Sequence, residues 1–371
     1  MRVTNTATYR NYITSVNDVQ QRMNKSMNRV SSGKAYENAA DSPLSYYQGK
    51  KIDNQYQDVL TKLSLITNVK GRLSQSETAA LSIQKTLSGA KNKVQSALSD
   101  TNSGNNDTLK TIRDDLLQKQ QSMVNDLNAQ YQDTYVFGGN DTKSAPFSLS
   151  ADGKTLTFSH QFPGQSTTTQ IEMTLQKKTD GSGEYEYKID DADLELIKKA
   201  MKEQGKVDIG HGTISDRDSL LDTFSGGLNL LTGLTSDAVR TGVSDQEIRD
   251  RMNNSPIALL GQAAAAIDDY IDTGDSETYD KVMRKTLDSM TDTEHTVSTV
   301  YADLGNRSAL LDSTEAKLKT SKDDLTEQYK DLLGADPYEA IMNMYSDQSS
   351  YSAALRVGSQ MMQSSLFDFM R

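Results

Sequence analysis

The chain has 371 residues, 40 of them Lys or Arg and 51 Asp or Glu, for a formal net charge of -11 at pH 7. That balance repels both a phosphate backbone and an anionic lipid surface, so neither nucleic acid nor membrane insertion is expected of it. With no cysteine, and His160, His211 and His295 scattered, disulfides, thiolate metal sites and cysteine nucleophiles are excluded, and neither a metal nor a cofactor is expected.

The length favours two or three domains over one core. A hydrophobic fraction of 35% without tryptophan suits long helices that bury narrow stripes. Met1 to Gln20 contain no apolar run like the core of a cleaved signal, and no stretch approaches a membrane span, so the chain is expected to be soluble or exported by another route.

Along the first helix, Tyr9, Tyr12, Val16, Val19, Met23, then Ser26 with Met27 beside it, and Val30 alternate spacings of three and four, a coiled-coil seam. Ser31-Ser32-Gly33 stops it. Asp41-Ser42-Pro43 opens the next helix, with Pro43 suited to a first turn. Leu44 to Asp100 carries one drifting stripe, from Ile52 and Tyr56 through Ile83 and Leu87 to Leu98, and predicts a rod of roughly 80 Å at 1.5 Å per residue. Thr101 to Asp107 is a turn ending in a cap. Leu109, Ile112, Leu116, Met123, Leu127 and Tyr131 then define a returning helix, so the pair should form an antiparallel hairpin.

The period changes at Tyr135 to Asn140. Short β-type runs follow at Thr155 to Phe158, Thr167 to Leu175 and Glu184 to Ile189, separated by Pro163-Gly164 and Asp180-Gly181-Ser182-Gly183. Asp190 to Met201 reads as a short helix and Val207 to Ile209 as one more strand. Ser219 to Leu231 is ambiguous because Gly226-Gly227 interrupts it. Pro256 to Ile271 is a helix, and the stripe from Tyr279 through Met283, Met290, Leu304 and Leu318 to Leu332 is a second long one. After Gly334-Ala335-Asp336-Pro337 a last helix carries the seam Ile341, Tyr345, Gln348, Ser352, Leu355, Ser359, Met362, Leu366 and Phe369.

The expected fold is mainly α with a β-rich insertion, elongated, with both termini at one tip. Residues 1–40 with 335–371 would form a terminal, coiled-coil-like domain. Residues 41–140 with 255–334 would form a long-helix bundle, and 141–254 an outward, mainly β domain. Two narrow apolar stripes recover little of the entropy of ordering both ends, so the ends are expected to become helical only when neighbouring subunits cover them.

Chemical motifs fail on inspection. Ser31-Ser32-Gly33-Lys34 lacks the upstream glycine of a phosphate loop, and the acidic run Asp190 to Glu195 lacks the central glycine and terminal glutamate spacing of a helix-loop-helix calcium site. No nucleophile elbow, dinucleotide fingerprint or zinc-protease helix is present, so no enzyme is expected. Met23, Met27, Met283, Met290, Met361 and Met362 lie on the seams, where a flexible thioether suits either a re-packing interface or an ordinary core.

Arg29-Val30-Ser31-Ser32-Gly33-Lys34 followed by Ala39-Ala40-Asp41-Ser42-Pro43 resembles the N-terminal signature of the bacterial flagellin family. Within it, Met1-Arg2-Val3-Thr4, the stretch from Tyr135-Val136-Phe137-Gly138-Gly139-Asn140-Asp141-Thr142 to Pro146-Phe147, and Leu304-Gly305-Asn306-Arg307 resemble the hook-associated junction branch. The likeness covers the ends and the long helices and says little about Ser148 to Asn254. It departs at Asp41-Ser42-Pro43, where relatives often show two aspartates before the proline.

The resemblance implies a structural adaptor of the flagellum whose terminal helices form an inner tube. It also implies export through the flagellar type III apparatus without a cleaved signal. The implied partners are copies of itself in a ring, the first hook-associated protein, flagellin and a cytosolic export chaperone. The filament subunit itself, a helical signalling module, and an adhesin acting through the β insertion remain alternatives.

Overall fold

The computed structural model describes residues 2–36, 38–99, 104–202, 206–208, 220–222 and 226–369, with side chains described for 7–36, 38–99, 104–202 and 226–360. The fold is mainly α with a β-rich insertion. Two compact units are formed, Met1–Leu63 with Lys317–Arg371, and Ser64–Ala316; their boundaries fall within helices α2 (Pro43–Ala97) and α9 (Ser276–Leu333).

The first unit contains α1 (Arg2–Ser32), the start of α2, the end of α9, and α10 (Pro337–Phe369). Gly33 ends α1 at φ +67, a conformation that costs a side chain but not glycine, and its N–H donates to Arg29 O at 2.9 Å. The chain then stitches itself to the stop after α9. Ala35 N donates to Leu333 O at 2.7 Å and Ala335 N to Gly33 O at 2.9 Å, so each helix end takes backbone partners from the other. Asp336 caps α10, its carboxylate accepting from Tyr338 N at 2.8 Å and Glu339 N at 3.3 Å.

In the second unit the hairpin expected of α2 and α3 (Asn106–Leu127) is present, with Ser82 bonded to Asp126 and Lys119 lying near Gly89. The cap of α3 is Asn105 rather than Asp107, accepting from Asp107 N at 3.1 Å and Thr108 N at 3.2 Å. Ile66, Leu73, Ile83 and Leu87 of α2 and Leu109, Leu116, Met123 and Leu127 of α3 are fully buried. Helix α8 (Pro256–Thr273) starts at a Ser255 cap and buries Ala263 to Ala266, whose small side chains allow close packing, and it packs on α3. Ion pairs tie the helices together: Lys70 to Asp312 at 2.5 Å and Glu315 at 2.6 Å, Lys91 to Glu294 at 2.5 Å, and Arg113 to Asp268 at 2.7 Å.

The insertion opens with a hairpin, β1 (Gln130–Tyr131) and β2 (Thr134–Tyr135), followed by an antiparallel sheet in the order β3 (Phe147–Leu149), β4 (Thr155–His160), β5 (Thr169–Lys177) and β6 (Tyr185–Lys188). Leu156 faces Leu149 and Met173, and Phe158 faces Phe147 and Ile171, so the two-residue period of β4 turns one apolar row inward. Then come α4 (Asp191–Lys202), paired strands β7 (Lys206–Asp208) and β8 (Leu220–Asp222), α5 (Gly227–Thr232), α6 (Ser236–Thr241) and α7 (Asp245–Asn253). Expected strand residue Ile209 lies outside the described residues. Gln120 of α3 fixes the sheet side to the helices, its amide donating to Gly153 O at 3.1 Å and Ile257 O at 3.0 Å.

Candidate assembly interface

Helices α1 and α10 pack along their lengths, but the faces they use differ from a simple match of seams. From α1 the half-buried side is Tyr12, Val16, Val19 and Met23 with buried Ser26, so four residues expected at a contact between subunits lie on the side that packs on α10 of the same chain. From α10 it is buried Ala340 and Gly358 with half-buried Met344, Asp347, Tyr351 and Ala354, a mixed stripe beside the exposed apolar row. Two features fix the pairing. The Ser26 hydroxyl donates to the Asp347 carboxylate, and the Tyr12 hydroxyl donates to Ala354 O at 2.9 Å. Gly358 makes room for that tyrosine, because a Cβ there would lie 1.9 Å from the Tyr12 hydroxyl.

Gly358→Ala is therefore expected to cost about 2 kcal/mol of α1–α10 pairing through overpacking. Thermal melting by circular dichroism should show earlier helix loss, and limited proteolysis should release α10 faster than from the parent chain.

What α10 withholds from α1 it presents outward. Ile341 is 41% exposed, Tyr345 61% and Leu355 48%, with Tyr338 and Met342 beside them. On α1, Tyr9, Ile13, Met27 and Val30 are likewise exposed. Isolated exposed apolar residues are ordinary, but these recur at helical spacing on two paired helices. Met362, Leu366 and Phe369 belong to α10, and their side chains lie outside the described residues.

The remaining motif positions serve the scaffold. Arg29 is half-buried, Ser31 is exposed with its hydroxyl on Asn28 O, and Asp41 pairs with Lys25 at 2.9 Å. Pro43 is the first residue of α2. Gly305 lies on α9, a Cβ there falling 3.5 Å from Glu77, and Arg307 pairs with Asp303 at 2.6 Å. Phe137, Gly138, Gly139, Pro146 and Phe147 are all buried in one knot.

Three polar groups hold that knot, Asp141 from within the Tyr135 to Phe147 motif and two, Asn128 and Arg72, from outside it. The Asn128 side chain donates to Phe147 O at 2.7 Å and accepts from Phe147 N at 3.0 Å, replacing a strand neighbour. Arg72 donates to Tyr135 O at 3.1 Å, and burial lowers its pKa to about 10. Asp141 is buried and accepts from Lys143 N at 3.1 Å, Ser144 N at 3.2 Å and Gln161 N at 3.0 Å. No spacing rule points to Asn128 or Arg72; Asp141 makes the Asx-type bonds two and three residues ahead.

Burial, the strongest influence on Asp141, pushes its carboxyl pKa up, but those backbone donors and the Ser144 hydroxyl outweigh it and hold it below the usual value of 3.8. A depressed folded pKa stabilises above the unfolded value and is lost as pH falls through the folded one. Asp141→Asn, which loses an acceptor and faces donors with its own N–H groups, should cost about 2 kcal/mol at neutral pH. The penalty should shrink below pH 3.8, as read by urea melts across the acid range.

A family model for the bacterial flagellin N-terminal helical region matches residues 3–142, and one for the bacterial flagellin C-terminal helical region matches residues 287–370, together more than half of the chain. The chain belongs to the flagellin family. Its role is thus structural: it is a component of the bacterial flagellum, outside the cell, assembling with other flagellar proteins.

Among solved structures this flagellin-family chain shares its fold with a protein of Vibrio parahaemolyticus described as flagellar hook-associated, at 15% identity and a TM-score of 0.52, over 79% of this chain and 100% of that one. FlgL of Bacillus cereus also matches, at 15% identity and a TM-score of 0.35, over 78% and 100%. No curated protein matches. Among the described residues of this flagellin relative, no cluster of metal-ligating side chains is found and no helix is long and apolar enough to cross a membrane.

Proposed function

We propose that this protein is the adaptor between the hook-side junction protein and the flagellin filament, joining neighbouring subunits through the outward faces of α1 and α10. The observation that carries the assembly reading is the apolar row Ile341, Tyr345 and Leu355, left exposed while α10 turns a different side, Ala340 to Gly358, to α1. Tyr9 and Val30 extend it on α1, and Met362, Leu366 and Phe369 continue the row in sequence. Tyr12, Val16, Val19 and Met23 act differently, holding the two helices of one chain together.

The choice of junction over filament is supported by Tyr135 to Phe147 and Leu304 to Arg307, and by the fold shared with a protein described as hook-associated. In this reading residues 1–40 with 335–371 line the inner tube, 41–140 with 255–334 form the next shell, and 141–254 face outward. Its partners are further copies of itself, the first hook-associated protein, flagellin and a cytosolic export chaperone.

A deletion strain tests the assignment. It should lack filaments and release flagellin monomer into the medium, and the protein should be a trace component of sheared flagella. Full-length filaments in that strain, or a mass share like that of the main subunit, would overturn it.

A further inference from the structure

Resting on the reading of the outward face as a contact between subunits, we infer that Met27 and Met342 are modification sites: peroxide converts them to sulfoxides in the free chain, and the sulfoxides keep it out of the assembly. The described methionines divide sharply by exposure. Met123, Met173, Met201, Met252, Met283 and Met290 are 0% exposed. Met23 and Met344 are half-buried along the α1–α10 contact. Met27, at 50%, and Met342, at 72%, are open, on the two helices that also expose Ile13, Val30, Ile341 and Tyr345.

The chemistry needs only access and an oxidant of the peroxide class. A thioether lone pair attacks one peroxide oxygen and the O–O bond breaks. The sulfur keeps that oxygen as a sulfoxide, and the other oxygen takes a proton and leaves as water. Sulfur is oxidised by two electrons and peroxide is reduced by two. An apolar thioether thereby becomes a polar acceptor that an apolar contact cannot satisfy. The folded chain spares its own core, because the methionines that hold the second unit together are shut in. Among the described methionines the two open ones are on α1 and α10, the helices proposed to join subunits.

Mass spectrometry of methionine peptides after hydrogen peroxide treatment of the full-length protein tests the sites. Sulfoxide should accumulate at Met27 and Met342 before any of the buried methionines. Uniform oxidation, or oxidation led by a buried methionine, overturns the assignment.

The consequence is tested in cells grown with sublethal peroxide, comparing chains in isolated flagella with chains released into the medium. Sulfoxide at both positions should be severalfold enriched in the released pool, and Met27→Leu/Met342→Leu should restore incorporation to the untreated level. Equal sulfoxide in the two pools overturns exclusion. Peroxide added to finished flagella separates this idea from the reading beneath it. Protection of both methionines there supports a covered face. If they oxidise as fast as in the free chain, the subunit contact fails while the selective sites stand.

Discussion

Replacing Ile341, Tyr345 and Leu355 together by aspartate is expected to abolish incorporation of the chain into flagella while leaving the isolated protein folded. All three side chains are exposed and none lies on the side of α10 that meets α1, so each change alone should move stability by no more than about 0.5 kcal/mol. In an assembly the same carboxylates would be desolvated without partners, at several kcal/mol each. At 1.4 kcal/mol per factor of ten, incorporation should fall by roughly 100-fold or more. Immunoblots of sheared flagella against whole-cell samples read the first quantity, and thermal melts read the second. Normal incorporation of a normally folded variant would remove this face from the proposed contact. The sharper comparison is with Gly358→Ala, which should weaken pairing within one chain and therefore alter the melt as well.

Gly138→Ala should be the most damaging single methyl in the second unit. A Cβ at that position would sit 1.8 Å from Asp141 O, and a backbone oxygen in a buried turn cannot swing aside as a flexible side chain does. Moving it would also shift the carboxylate of Asp141 and the donors it gathers from Lys143, Ser144 and Gln161. We expect a loss of about 3 kcal/mol, at the upper end of overpacking costs. For a unit of this size that corresponds to a Tm lower by roughly 6–12 °C. Gly89→Ala is the control. Its Cβ would find nothing nearer than the Lys119 ammonium at 3.8 Å, and α2 should gain up to about 1 kcal/mol of helix propensity. Calorimetry that showed equal shifts for the two would mean that the turn yields.

Much of this organisation was legible in the residues, and the limits are physical. The α1 spacing marks Tyr12, Val16, Val19 and Met23 as an apolar stripe expected between subunits, and these side chains are half-buried on the side of α1 that packs on α10 of the same chain. The α10 pattern was equally clear and led elsewhere, since periodicity locates an apolar face without saying whose surface covers it. The stripe that α10 gives to α1 includes Ala340, Asp347 and Gly358, chosen for small size and one hydroxyl partner, and neither leaves a hydrophobic period.

The strands Thr155–His160 and Thr169–Lys177 alternate cleanly and were found to within two residues. Strand Phe147–Leu149 was missed because three residues carry no period. Helices Ser236–Thr241 and Asp245–Asn253 were missed because they are short; their signals are the caps Thr235 and Ser244, which accept from Ala238 N and Glu247 N. The Asn128 and Arg72 contacts join residues whose meeting depends on the folded chain, so local chemistry could not announce them, whereas Asp141 bonds the N–H groups of Lys143 and Ser144 in a local turn and reaches Gln161 only in the folded chain.

The stitch between Gly33 and Ala335, with its companion from Ala35 to Leu333, has a consequence for timing. Its two halves are separated by nearly the whole chain, which makes it one of the contacts of highest order in the molecule, and such contacts close late. A chain delivered from its N-terminus therefore cannot complete the end of its first helix until Leu333 and Ala335 arrive, and a product truncated before Leu333 leaves Gly33 O and Ala35 N without these partners. The first helix to be made is among the last to be finished, and its closure reports that the rest of the chain has come through.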